Sequence, residues 1–242
     1  MRIITKLLAT SLLIYSGMAM SATTEHSPPK LRIATFNVSM EALNYLPKAS
    51  NTNAKVKGDE LALALTQNHP QIRNIAEIIQ RVNPDIILLN EFDGNDENHQ
   101  SLKIFLSQYL AENQQGNAGV HYPYFYQGPV NTGVATGYDL NNDGKKAQLP
   151  GDAYGFGHFS GHFAMALLSK YPINVDEIRT FQFFKWRDMP NALIPIDPTT
   201  EQPWYSEQAW NNFRLSSKSH WDIPLNVNGN ELHILASHPT PP

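Results

Sequence analysis

Four apolar runs in this sequence end on polar residues suited to bind charged groups: Asn37, Glu91, Lys170 and His238. In an open α/β sheet, ligands gather outside the carboxyl ends of the strands. An amide, a carboxylate and an imidazole delivered to one sheet edge can hold a divalent cation and a phosphate. Glu91 is the candidate ligand for Mg2+ or Mn2+, because hard cations take oxygen ligands and Mg2+ is commonly held by one or two carboxylates plus substrate phosphate. Asn37 either orients that carboxylate or donates to a phosphate oxygen. A lone Glu at a strand end is more often a solvated charge.

Other patterns are weaker. Asp139, Asn141 and Asp143, followed by Gly144, match the first half of a calcium loop, but its twelfth position is Pro150, not Glu. Asp152 can substitute only through a different loop shape, and an Asx-rich turn without metal fits equally. His158 and His162 stand four apart in a glycine-rich stretch that argues against a helix and therefore against zinc. Trp186, Trp204, Trp210 and Trp221 are read as packing their loops. There is no Gly-x-Ser-x-Gly elbow, and without Cys there is no thiol nucleophile.

The elements that must position these residues follow from periodicity. Residues 31–38 alternate and then turn apolar, which predicts a strand with a half-exposed end. Ile72, Ile75, Ile78, Ile79 and Val82 predict one face of a helix that Asn83-Pro84 stops. Residues 85–91 form a continuous apolar run, the mark of a strand buried on both faces. Strand, helix, strand implies a right-handed crossover in an α/β sheet. A helix is expected near residues 101–110, a long loop over 115–161 and a strand over 165–170. Two further strands, 214–228 and 231–238, are joined by a turn at Asn228-Gly229.

The 242 residues carry 18 Lys+Arg against 22 Asp+Glu, a net charge of −4, with 41% hydrophobic and 17% charged residues. That composition is globular, and it excludes a global basic field that would wrap nucleic acid, though not a local phosphate grip. Arg2 and Lys6, an apolar core over 7–15 and small residues at 16–19 form the three parts of a secretory signal peptide, assigned to 1–22. The protein is thus expected to be secreted or periplasmic, with no membrane span and as a monomer.

Residues 32–38 (Arg-Ile-Ala-Thr-Phe-Asn-Val) and 83–91 (Asn-Pro-Asp-Ile-Ile-Leu-Leu-Asn-Glu), with 166–173 and the His-tipped strand 232–238, resemble the endonuclease/exonuclease/phosphatase superfamily in order and spacing. The resemblance spans residues 30–242 and is closest to secreted bacterial members. It implies a DNase-I-like four-layer α/β sandwich: two packed mixed sheets flanked by helices. Asn37 then matches the family's first-motif Asn and Glu91 its metal-binding Glu. His220 is the candidate His presented to the scissile phosphate, unless it is a structural His beside Trp221. Lys218, two residues away, is expected on the same sheet face as a phosphate contact. His238 resembles a His supporting the site from the next strand.

Met165 and His162 depart from the family's third motif. The later Gly-Asp-x-Asn and Ser-Asp-His motifs do not occur before Pro242, so the resemblance implies a fold incomplete at the C-terminus, with this fragment alone inactive. The implied activity is metal-dependent phosphoester hydrolysis, as nuclease, lipid-headgroup phosphodiesterase or phosphatase. A vestigial DNase-like binding protein, stabilised by Ca2+, is the other reading.

Overall fold

The computed structural model describes residues 30–46 and 55–239; the signal peptide assigned to 1–22 lies outside them. Strand β1 (Ile33–Met40) leads through a turn and helix α1 (Glu60–Thr66) to helix α2 (Pro70–Val82) and strand β2 (Ile86–Phe92). Helix α3 (Gln100–Ile104) continues as wider π turns over Phe105–Leu110, before β3 (Tyr124–Tyr126) and β4 (Met165–Ser169). A short β5 (Arg179–Thr180), a one-turn α4 (Glu207–Trp210), β6 (His220–Val227) and β7 (Asn230–Ser237) follow.

The strands form two sheets, ordered β1-β2-β4-β3 and β5-β6-β7. The first is mixed: β1 runs parallel to β2, and β4 antiparallel to both β2 and β3. The second, expected to be mixed, is antiparallel throughout among the described residues. Two sheets with helices packed on the first make the DNase-I-like α/β arrangement. No helix among the described residues is long and apolar enough to cross a membrane.

The apolar run of β2 is buried on both faces, and its alternation sorts it between two cores. Ile87 and Leu89 join Leu61, Leu65, Ile72 and Ile79 beneath the helices. Ile86 and Leu88 join Met165, Trp221 and Ile223 between the sheets. Residues of period two therefore weld both layers to the strand that carries Glu91.

Helix α2 begins with Pro70 behind the cap His69, whose Nδ1 accepts from Gln71 N–H at 3.3 Å. It ends at Asn83 in the left-handed conformation, whose N–H returns to Ile79 at 2.7 Å. Its buried face is Ile72, Ile75, Ala76 and Ile79, whereas Ile78 and Val82 are exposed. At 100° per residue the apolar stripe read from sequence was too wide for one face.

Two other expectations change. The loop 115–161 contains β3, a strand too short to show a period. The strand expected from Arg214 begins only at His220, because Asn131 pulls the preceding segment off the sheet. Its Nδ2 donates to Ser216 O at 2.7 Å, its N–H to Lys218 O at 2.8 Å, and its Oδ1 accepts from Arg214 at 2.5 Å.

Candidate active site

Glu91 stands at the carboxyl end of β2, and Asn37 lies in the carboxyl half of the parallel strand β1, three residues before its end. Asn37 pairs with Asn90, and the register then slips before Met40 meets Phe92. Within that irregularity Ser39 has φ +49° and Glu91 φ +58°. A left-handed conformation is uncommon for such residues and is retained where surrounding structure enforces it, often at functional sites. It turns the Glu91 side chain out of the strand's alternation.

Three partners fix the resulting pocket of charge. Asn37 Oδ1 accepts from Ser39 N–H at 3.1 Å, and Ser39 Oγ donates to Glu91 Oε2 at 3.3 Å. His238 Nε2 reaches Glu91 Oε1 at 3.3 Å. Burial pushes the His238 imidazole below its ordinary value, with the Lys218 charge adding to the shift and Glu91 opposing it. Burial likewise lowers the Lys218 amine, again opposed by Glu91. A carboxylate, an imidazole and a desolvated amine thus share one site.

His220 is not part of this group. It is exposed beside Phe181 and Leu235, and among the described residues neither a hydrogen bond nor an ion pair joins it to Glu91. Lys218 is buried, so the expectation that the two share a face fails. The alternation rule needs a continuous strand, and residues 216–219 lie off it. The imidazole that touches Glu91 is His238.

Immediately behind the site lies a buried polar layer that the sequence reading passed over. Asp93 Oδ2 accepts from Ala42 N–H at 2.8 Å and its Oδ1 from Phe163 N–H at 2.9 Å. Its own N–H donates to Met40 O at 3.1 Å. One carboxylate therefore ties the exits of β1 and β2 to the entry of β4. Burial pushes its pKa up to about 8. Glu41 Oε2 lies 3.0 Å from His162 Nε2, and His162 Nδ1 accepts from His158 N–H at 3.2 Å. That backbone donor makes Nε2 the protonated nitrogen, which donates to Glu41. His158 and His162 do meet, with ring centroids 5.6 Å apart, through a turn at Gly161 (φ +90°) and not through a helix.

A model of the "Endonuclease/Exonuclease/phosphatase family" matches residues 34–241. The chain belongs to this family. It is similar in structure to an endonuclease/exonuclease/phosphatase from Beutenbergia cavernae, at 15% identity and a TM-score of 0.38, over 86% of this chain and 38% of that one. A family protein from Leptotrichia buccalis gives 12% identity and a TM-score of 0.36, over 87% and 55%. Beta toxin from Staphylococcus aureus, in a structure with bound magnesium ions, gives 17% and 0.33, over 87% and 49%. The chain thus spans 38% to 55% of the length of these structures. No curated protein matches the sequence.

The donor set suits the family's hard-cation chemistry in one place. Glu91 offers two oxygens engaged only by long hydrogen bonds, and Asn37 supplies an amide oxygen beside it. In the Asp139–Asp143 loop the carboxylates are engaged by backbone N–H groups. Asp139 accepts from Asp143 and Gly144 N–H groups at 3.2 and 2.8 Å, and Asp143 from Lys145 N–H at 2.8 Å. Both Asp152 oxygens are taken, by Leu140 and Gln148 N–H at 2.8 Å each. Among the described residues no three His, Cys, Asp or Glu side chains converge. The loop closes as an Asx turn on its own peptide groups.

Sequence reasoning missed Ser39, Glu41 and Asp93. A signal for two of them was present: Ser39 and Asp93 each follow a motif residue by two positions, where a strand that kept its alternation would place them on the same face.

Proposed function

We propose that this chain carries the metal site of a divalent-metal-dependent phosphoester hydrolase, exported by the leader 1–22. The observation that carries the reading is the meeting of Glu91, Ser39 and His238 at a left-handed strand end, with Lys218 buried beside them. Glu91 and Asn37 would hold Mg2+ or Mn2+. A bound ion would offset charge developing on the phosphoryl oxygens and lower the pKa of a bound water.

The protein groups have separate tasks. Ser39 and His238 orient the two Glu91 oxygens. Lys218, poorly solvated, gains more from an arriving phosphate than an amine in water does. Hydrolysis forms a bond from water oxygen to phosphorus and breaks the ester P–O bond, and the departing oxygen needs a proton. His238 is the imidazole placed to exchange it near neutral pH.

Mn2+ binding followed by electron paramagnetic resonance tests the metal assignment without relying on turnover. The 242-residue chain should bind Mn2+, and Glu91→Gln should weaken that binding at least about tenfold. Unchanged affinity in the variant would remove Glu91 from the metal site. Metal-dependent cleavage of bis-p-nitrophenyl phosphate, abolished by chelator, tests the activity, and N-terminal sequencing of protein from the culture fluid or periplasm tests export.

A further inference from the structure

Strands β5 and β6 pair at Arg179–Asp222 and Thr180–Trp221, and the two segments meet again at the Lys185–Arg214 bridge. Between these points one segment advances six residues, from 179 to 185, and the other eight, from 214 to 222. The two extra residues have no partners, so the 216–219 segment bulges out of the ladder. Asn131, fully buried, fills the gap. Its Nδ2 donates to Gln182 O at 2.8 Å and to Ser216 O at 2.7 Å, one carbonyl from each segment. Its main-chain N–H donates to Lys218 O at 2.8 Å, and its Oδ1 accepts from Arg214 Nη1 at 2.5 Å. Only an amide offers two protons on one atom and an acceptor beside it; an ionised Asp of the same shape would face both carbonyls with none.

The bulge decides which way Lys218 faces. Along β6, Trp221, Ile223 and Leu225 enter the core between the sheets, so His220 and Asp222 point away from it. A strand continued without interruption would put Lys218 beside His220 on that outer face. Instead Lys218 is 7% exposed, and its charge acts on both Glu91 and His238. We propose that Asn131 is a positioning residue: by holding the bulge open it turns Lys218 from the outer face towards Glu91, and so sets the affinity of the site for a phosphate group. The effect on phosphate rests on the hydrolase reading above; the placement of Lys218 stands on the hydrogen bonds. Other contacts at the gap do not replace this one. Thr180 Oγ1 meets Ser219 Oγ at 3.0 Å, but at the closed end beside the β5–β6 pairing. The Arg214 guanidinium reaches the gap through Asn131 and otherwise covers the Tyr154 and Phe183 rings.

Limited acetylation with acetic anhydride, read residue by residue by mass spectrometry, reports where Lys218 points. In the wild-type chain Lys218 should react far more slowly than exposed Lys145. Asn131→Ala should raise the Lys218 rate about tenfold or more relative to Lys145, because the segment is freed locally. The same variant should weaken binding of inorganic phosphate, followed by isothermal titration, by about tenfold, the scale of one hydrogen bond to a charged group. In a Lys218→Ala background, Asn131→Ala should weaken phosphate binding no further, because both changes act through one contact. An unchanged Lys218 rate in folded Asn131→Ala, or an undiminished loss of phosphate binding in the Lys218→Ala background, overturns the proposal. Should Asn131→Ala fail to fold, native-state hydrogen exchange of the wild type decides. The Asn131 amide should then be protected about a hundredfold or more, and exchange at the rate of an open loop overturns the clamp. Phosphate affinity indifferent to Lys218→Ala, with the Lys218 rate still governed by Asn131, supports the placement and overturns the phosphate contact of the hydrolase reading.

Discussion

His238 Nε2 lies 3.3 Å from Glu91 Oε1, although 147 positions separate them in sequence and they terminate strands of different sheets. The contact closes the site across the gap between the two sheets. Glu91 lies at the end of β2 and His238 directly follows β7, and the inner faces of both strands are locked into the shared core, β2 through Ile86 and Leu88, and β7 through Ala236.

That contact orders the two histidines by effect. His238→Ala should lower phosphoester turnover by about 10²-fold or more, the scale of a general acid–base group. His220→Ala should cost far less, since its ring faces Phe181 and Leu235. Steady-state kinetics of both variants on one substrate decides it. An equal or larger loss in His220→Ala would restore the sequence-based choice.

Asp93 is predicted to hold the site in shape from behind. Asp93→Ala strips hydrogen bonds from the Ala42 N–H, which is buried, and the Phe163 N–H, which is half-buried, at the strand exits. Each buried donor left unpaired costs about 1–3 kcal/mol. Urea denaturation should show a loss of that order or greater, and Mn2+ affinity should fall as well, because Glu91 depends on the β2 exit. Wild-type stability and metal affinity in the variant would show that the clamp does neither.

How far the sequence disclosed all this depends on the kind of signal. Strand β2 was legible because both its faces are apolar, and α2 because its isoleucines recur at helical spacing and Asn83-Pro84 stops it. Glu91 and Asn37 were legible as polar residues ending such runs. The roles of Lys218 and His220 were not, because they depend on Asn131, about 90 residues upstream, pulling 216–219 off the sheet. Asp93 was invisible for a related reason: a carboxylate after a strand reads as solvated until the loops that bury it are known.

Asp222 gives the second sheet a pH dependence on both sides of neutrality. Its carboxylate accepts from Arg179, and from His233 Nδ1 at 2.6 Å. The side-chain bonds from Arg179 and His233 lower its pKa below 3.8, and Asp222, with Glu231, raises that of His233 above 6.5. The depressed carboxylate contributes stability above its unfolded pKa, which is lost as pH falls through the folded value. The raised imidazole contributes stability that is complete below its unfolded pKa and is lost as pH rises through the folded value. His233→Gln should remove the alkaline fall and shrink the acid one to what Arg179 supports, while Asp222→Asn should remove the acid fall and shrink the alkaline one to what Glu231 supports. Denaturant midpoints measured from acid to alkaline pH separate the two variants.

Gly155 is predicted to be irreplaceable by Ala. A Cβ there would lie 2.0 Å from Ser217 O, a backbone atom that cannot swing aside. Relieving the overlap must displace either the Thr132–Gly155 bridge or the 216–218 segment. Overpacking of this kind costs about 1–3 kcal/mol, and more where backbone must move. Because Lys218 lies on that segment, Gly155→Ala should reduce phosphoester turnover and the midpoint of urea denaturation together. Wild-type turnover and stability in Gly155→Ala would mean that the segment tolerates displacement.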